Sequence, residues 1–141
     1  MIKEWRLLLL AVGFFTRIPV PAHPDFKESD LNASVKYFPF IGWLVGGFAA
    51  LIYWLSLHVF PLEIAVLLSM IATIYLTGSF HEDGLTDAVD GLGGGWGKEQ
   101  VLTIMQDSRI GTYGAVALIL ALLLKFEGLT HSPIWMLPCV M

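Results

Sequence analysis

The chain has 141 residues, 56% of them apolar and only 14% charged, with a mean hydropathy of +0.71 and a formal net charge of −4. A soluble domain carries about a quarter charged residues, so neither an ordinary water-soluble globule nor a disordered segment fits, and the acidic balance gives no reason to expect nucleic acid as a partner. Cys139 is the single cysteine, which excludes an intrachain disulfide and a cysteine-based metal site.

Leu7 to Phe15 is apolar but too short to cross a bilayer alone. Lys3 and Arg6 precede it, yet the small-residue pattern of a signal-peptide cleavage site is weak. The segment reads as an interfacial or re-entrant helix over about residues 5–16, ended by Pro19, Pro21 and Pro24. Tyr37 to Phe60 follows as 24 residues without a charge, about 36 Å of helix. Gly42, Gly46 and Gly47 lie in it at small-xxx-small spacing, which predicts a surface that another helix approaches closely. Pro61 breaks the chain, and Leu62 to Phe80 is a second apolar run of 19 residues, with Glu63 at its outer edge. A third span is expected at 112–129, uncharged from Tyr113 to Leu124; Lys125 and Glu127 either end it or snorkel to the interface. A fourth apolar segment, 134–141, stops eight residues in, so the chain reads as cut rather than finished. The expected fold is all-α, a polytopic integral membrane helical bundle forming one membrane domain.

Lys and Arg placement sets the orientation. The first 36 residues hold Lys3, Arg6, Arg17, Lys27 and Lys36, the turn at 56–63 holds none, and 81–111 holds Lys98 and Arg109. The bias puts the N-terminus and the 81–111 segment on the cytoplasmic side.

That segment reads HEDGLTDAVDGLGGGWGKEQVLTIMQDSRIG. On a helix, Asp83, Asp87 and Asp90 fall at roughly 0°, 40° and −20° about the axis, on one face. Like charges at this spacing destabilise a bare helix, and a hard divalent cation among them reverses the sign. The plain alternative is a solvated acidic face at the end of a membrane span. His81 lies about 160° from Asp83 if the helix already includes it, and is free to turn inward if the helix starts at Asp83. The glycine run 91–97 is expected to be a loop rather than helix. Its backbone N–H groups, those of Gly93 and Gly94 among them, would then come close to a phosphate, although the ending of a P-loop is missing. Lys98 to Gln106 resumes helical spacing. Arg109, at the start of the third span, and Arg17, at the end of the first apolar segment, are either positive-inside anchors or bidentate clamps on phosphate oxygens.

Taken together, Phe80-His81, Asp83-Gly84-Leu85, Asp87, Asp90-Gly91, Ile104-Met105, Asp107-Ser108-Arg109, Gly111 and Gly114 resemble the cobalamin synthase family, the adenosylcobinamide-GDP ribazoletransferases. Phe15 to Pro21 and the Phe38-Pro39 to Gly42 segment are similar to the same family, whose members are longer and continue with further membrane helices. The resemblance implies a multi-pass enzyme of the cell inner membrane, with its active segment facing the cytoplasm. Such an enzyme joins adenosylcobinamide-GDP to α-ribazole, or its 5′-phosphate, and releases GMP with the help of Mg²⁺. On that reading Asp83, Asp87 and Asp90 hold the metal, Arg109 and Arg17 hold phosphate oxygens, and His81 or Asp107 is the base for the attacking hydroxyl. The expected partners are the two small-molecule substrates and the lipid bilayer; the sequence is compatible with a homo-oligomer.

Three rival readings compete with this one. A CDP-alcohol phosphotransferase would also use membrane-edge aspartates, but no Arg follows Asp83-Gly84 within the triad. A divalent-cation transporter subunit would place acids inside the spans, and 38–62 and 64–80 contain none. The remaining rival is an inactive fragment.

Overall fold

The computed structural model describes residues 2–21 and 27–132, and within them every regular element is helical. The elements are α1 (Ile2–Phe15), α2 (Glu28–Ser34), a 3₁₀ turn (Val35–Tyr37), α3 (Phe38–Ser56), α4 (Leu62–Thr77), α5 (Phe80–Gly94), α6 (Lys98–Met105) and α7 (Thr112–His131). The fold is thus all-α, as the hydropathy pattern predicts. The fourth apolar segment, 134–141, lies outside the described residues.

Glu28–Ser56 and Thr112–His131 are long and apolar enough to cross a membrane. At 16 residues, α4 reaches span length only when counted with α5 across the break at Gly78 and Ser79. The span expected at 37–60 ends at Ser56, where Leu57–Phe60 form turns held by bonds such as Phe60 N–H to Ser56 C=O (2.8 Å).

Two compact units divide the chain, one running to Gly78 and the other formed by Ser79–Ser132. In the first, Ala11 and Val12 of α1 bury against Ile41 of α3, with Phe15, Ile18, Val20, Tyr37 and Val45 packed around them. Glu4 ties α1 to the start of α3 by accepting from the Tyr37 hydroxyl (2.7 Å) and pairing with the Lys36 ammonium. Helices α3 and α4 pack on each other, and the Ser69 hydroxyl of α4 donates to the Ala49 carbonyl of α3 at 2.8 Å. Ala49 is buried there, as are Ala65 and Val66 of α4, so small side chains bring the backbones close where no water can satisfy a polar group. Among the described residues, none makes the close approach expected at Gly42 and Gly47, where an added Cβ would meet nothing within 4 Å.

Arg17 belongs to this first unit. Its backbone N–H donates to Leu76 C=O (2.7 Å) at the end of α4, and its guanidinium stands 5.5 Å from the centre of the Tyr75 ring. A cation there complements the carbonyl end of a helix. Gly78, at φ +67°, closes α4 in the left-handed conformation that glycine tolerates, and a Cβ on it would meet Arg17 Nε at 2.9 Å.

Ala65 sits in the α3–α4 contact with no exposed surface. Ala65→Leu is expected to force the helices apart and cost about 1–3 kcal/mol. Thermal unfolding in detergent followed by circular dichroism checks this.

Candidate functional site

The second unit is built around α5, which packs against both α6 and α7. Helix α5 runs through Gly94, so the loop expected from Gly91 begins only at Gly95. Packing overrides the poor helix propensity of glycine here. A Cβ on Gly91 would meet Met105 Cγ at 2.6 Å, and one on Gly93 would meet Tyr113 Cγ at 2.9 Å. Because Gly93 and Gly94 are helical, their amides point along the α5 axis, and the phosphate cradle expected of them is not formed.

Asp90 is buried, and both carboxylate oxygens are engaged. One accepts from Gly111 N–H at 2.7 Å and the other from Gly114 N–H at 2.8 Å. Gly111 is the N-cap of α7 and has no side chain with which to cap it, so α5 supplies the acceptor instead. A negative charge at this helix end also meets the favourable pole of the helix dipole. Both glycines are sterically required, since a Cβ on either would press on the Asp90 carboxylate, and one on Gly114 would also lie 2.8 Å from Thr86 O.

Asp83 and Asp87, two turns and one turn earlier on α5, line a cavity of about 250 Å³ together with Gln106, Asp107, Ser108 and Arg109. Neither carboxylate has a hydrogen bond or ion pair among the described residues, and Asp90 is not in this lining. The three-aspartate metal centre expected from the sequence is therefore not assembled, and among the described residues no group of three His, Cys, Asp or Glu side chains is gathered to hold a metal. The helical-wheel angle fixes the face but not the height along the axis. One level of that face opens on the cavity, and the next is taken by the N-terminus of α7.

His81 lies within α5, which starts at Phe80, and it stacks edge-on against Phe80 at 5.7 Å. It does not line the cavity, as the wheel angle requires once the helix includes it. Asp107 and Arg109 do meet. Arg109 donates from Nη2 to Asp107 Oδ2 at 2.7 Å, from Nε to both oxygens at 3.1 Å, and from its backbone N–H to Oδ1 at 3.1 Å. These bonds hold the Asp107 carboxyl below the ordinary value of 3.8. A depressed folded-state value means the pairing is fully present above the ordinary aspartate range and is lost only as pH falls through the lowered value. Asp107 is thus a weak proton acceptor at neutral pH and serves better to aim Arg109, whose side chain is 86% exposed. Sequence pattern alone does not single out Gln106 or Tyr113, and Ser108 enters only as the middle of the Asp107-Ser108-Arg109 motif. The missing capping side chain before α7 is the signal that points to Asp90.

The cobalamin-5-phosphate synthase family matches residues 7–141. The chain is 56% identical over 126 residues to an adenosylcobinamide-GDP ribazoletransferase of Ralstonia pickettii, covering 89% of this chain and 49% of that protein. Proteins of the same name from Shewanella amazonensis and Leptothrix cholodnii are 52% and 53% identical, over 94% and 89% of this chain and 51% and 47% of theirs. This chain therefore spans about half the length of the curated relatives it matches. No solved structure matches it.

If Asp90 holds α7 in this way, Gly114→Ala should destabilise the protein by about 1–3 kcal/mol. Combining it with Asp90→Asn should cost less than the sum of the two single changes. Thermal unfolding of the four proteins in detergent, without added metal, provides the comparison. The chain belongs to the cobalamin-5-phosphate synthase family.

Proposed function

We propose that this member of the cobalamin-5-phosphate synthase family carries the diphosphate-binding part of an adenosylcobinamide-GDP ribazoletransferase site. A hydroxyl of α-ribazole, or of its 5′-phosphate, attacks the phosphorus that stays with cobinamide, and GMP leaves. Transfer of this kind depends on positioning and charge neutralisation more than on covalent help.

The donor set supports Mg²⁺ shared with substrate. The ion commonly takes one or two protein carboxylates and completes its shell with phosphate oxygens and water. Asp83 and Asp87, unpaired and one turn apart on α5, match that share, whereas Asp90 is spent on α7. Bound there, Mg²⁺ would neutralise diphosphate charge and stabilise the departing GMP oxygen. Arg109 carries guanidinium donors suited to non-bridging oxygens, and Asp107 restrains its orientation. Ser108 adds a hydroxyl to the same cavity. The observation that carries the reading is a cavity lined by Asp83 and Asp87, neither paired among the described residues, together with Arg109.

The location follows from the same chemistry. Val116, Ile119, Leu120, Leu123 and Leu124 of α7 present exposed apolar surface that suits lipid. Lys98 and Arg109 lie within the 81–111 segment, on the side that the positive-inside rule makes cytoplasmic, and an inner-membrane enzyme is the consistent reading.

Membranes containing the chain, given adenosylcobinamide-GDP, α-ribazole and Mg²⁺, are expected to release GMP in a ribazole-dependent way that EDTA abolishes. Asp87→Asn should lower that rate by about a hundredfold or more, since even the loss of an outer-sphere partner costs 10–100-fold. Full turnover by Asp87→Asn, or release indifferent to EDTA, would contradict the assignment.

A further inference from the structure

The turn between α5 and α6 carries an apolar surface that the transfer reaction does not use. Trp96 is 97% exposed there, and Leu92, in the last turn of α5, is 74% exposed. Leu85 is exposed as well. On the helix, Leu85 and Leu92 lie about 180–200° from Asp83, so the side of α5 away from the carboxylate cavity is the apolar one. A helix divided in this way suits a boundary between water and lipid.

The turn itself is closely fitted. A Cβ on Gly95 would meet Val101 Cγ2 at 2.6 Å and Gly91 O at 2.8 Å. Gly95 N–H donates to Gly91 C=O at 3.0 Å and Trp96 N–H to Gln100 Oε1 at 3.1 Å, so amides that lipid could not solvate are already paired. The turn also stands beside the start of α7. The Tyr113 ring covers Gly93, and Tyr113 and Gly94 line one cavity of about 490 Å³. Tyr113 and Ile110 are exposed, and Val116 and Ile119 continue the exposed apolar side of α7 from there. Tryptophan and tyrosine at the level where a span begins are the residues of an interfacial belt. Lys98 and Glu99, exposed at the start of α6, limit any insertion to headgroup depth.

We propose that Leu92 and Trp96 seat the α5–α6 turn in the boundary between headgroups and acyl chains of the bilayer that α7 crosses. Lipid is the occupant because the patch adjoins the lipid-suited side of α7 at Tyr113 and carries its own paired backbone. The inference rests on α7 being a membrane span and is independent of the transfer chemistry. It gives the unit a second hold on the membrane, with Asp83 and Asp87 on the side of α5 turned away from lipid.

The test is tryptophan fluorescence of the chain in phosphatidylcholine vesicles whose lipids carry bromine high or low on the acyl chains. Trp5, Trp43, Trp54 and Trp135 are replaced by Phe, and helicity is checked by circular dichroism. High bromines should quench Trp96 about twofold or more, and low bromines less, as an insertion of about 5–10 Å requires. Ile119→Trp, added to the same background with Trp96→Phe, marks depth on α7 and should show the reverse order. In the chain with its other tryptophans intact, Trp96→Phe should remove part of the emission that high bromines quench, a check that avoids the multiple replacement. Trp96 quenched by aqueous acrylamide but not by brominated lipid overturns the inference, as does Trp96 quenched by neither, which would set it against protein. Either result beside a quenched Ile119→Trp marker condemns the anchor alone; a marker that no bromine reaches removes the membrane span and the anchor together.

Discussion

The carboxylate of Asp90 bonded to the first amides of α7 is the constraint on which the rest of the site depends. An isolated helix end leaves amides without partners, and a buried carboxylate without donors is costly, so each group removes the other's penalty. The contact joins α5 to α7. The residues between α6 and α7, Asp107-Ser108-Arg109, are consequently held at both ends beside the face of α5 that carries Asp83 and Asp87. Glycine is needed at 111 and 114 because any side chain would displace the carboxylate. The same logic accounts for Gly91 and Gly93 within α5, where Met105 of α6 and the Tyr113 ring occupy the space of the missing side chains.

Division of labour among similar residues follows from that geometry. Three aspartates share a helix face, yet one is structural and two stand open to a ligand. Two arginines sit next to membrane segments, yet Arg17 is folded over Tyr75 at the end of α4 and Arg109 lies in a polar cavity with Asp107. Two cavities meet at Asp107, Arg109 and Ile110: Asp83 and Asp87 line one, and Asp90, Ile104 and Tyr113 line the other.

The membrane helices are legible in the sequence because a bilayer demands long uncharged runs, and a run such as Tyr113–Leu124 suits lipid far better than water. Their ends are less so: Leu57–Phe60 is as apolar as the helix before it but forms turns ahead of Pro61. The glycine run reads as a loop because propensity is a local quantity, and the packing of Gly91 on Met105 and Gly93 on Tyr113 that makes it helical is not. Spacing places the aspartates on the right face. It cannot reveal that α7 begins beside one of them, although Gly111 and Gly114 without a capping side chain pose the question of which acceptor serves that helix end.

The central claim is that Asp83 and Asp87 hold the divalent ion and Asp90 does not. The most direct measurement is Mn²⁺ binding, by electron paramagnetic resonance with pyrophosphate present, to the purified chain and its Asp83→Asn, Asp87→Asn and Asp90→Asn variants matched for helical circular dichroism. The expected result is weakened binding in the first two and near wild-type binding in the third. Loss of Mn²⁺ in Asp90→Asn with helicity intact, or unchanged binding in Asp83→Asn and Asp87→Asn, would contradict the account.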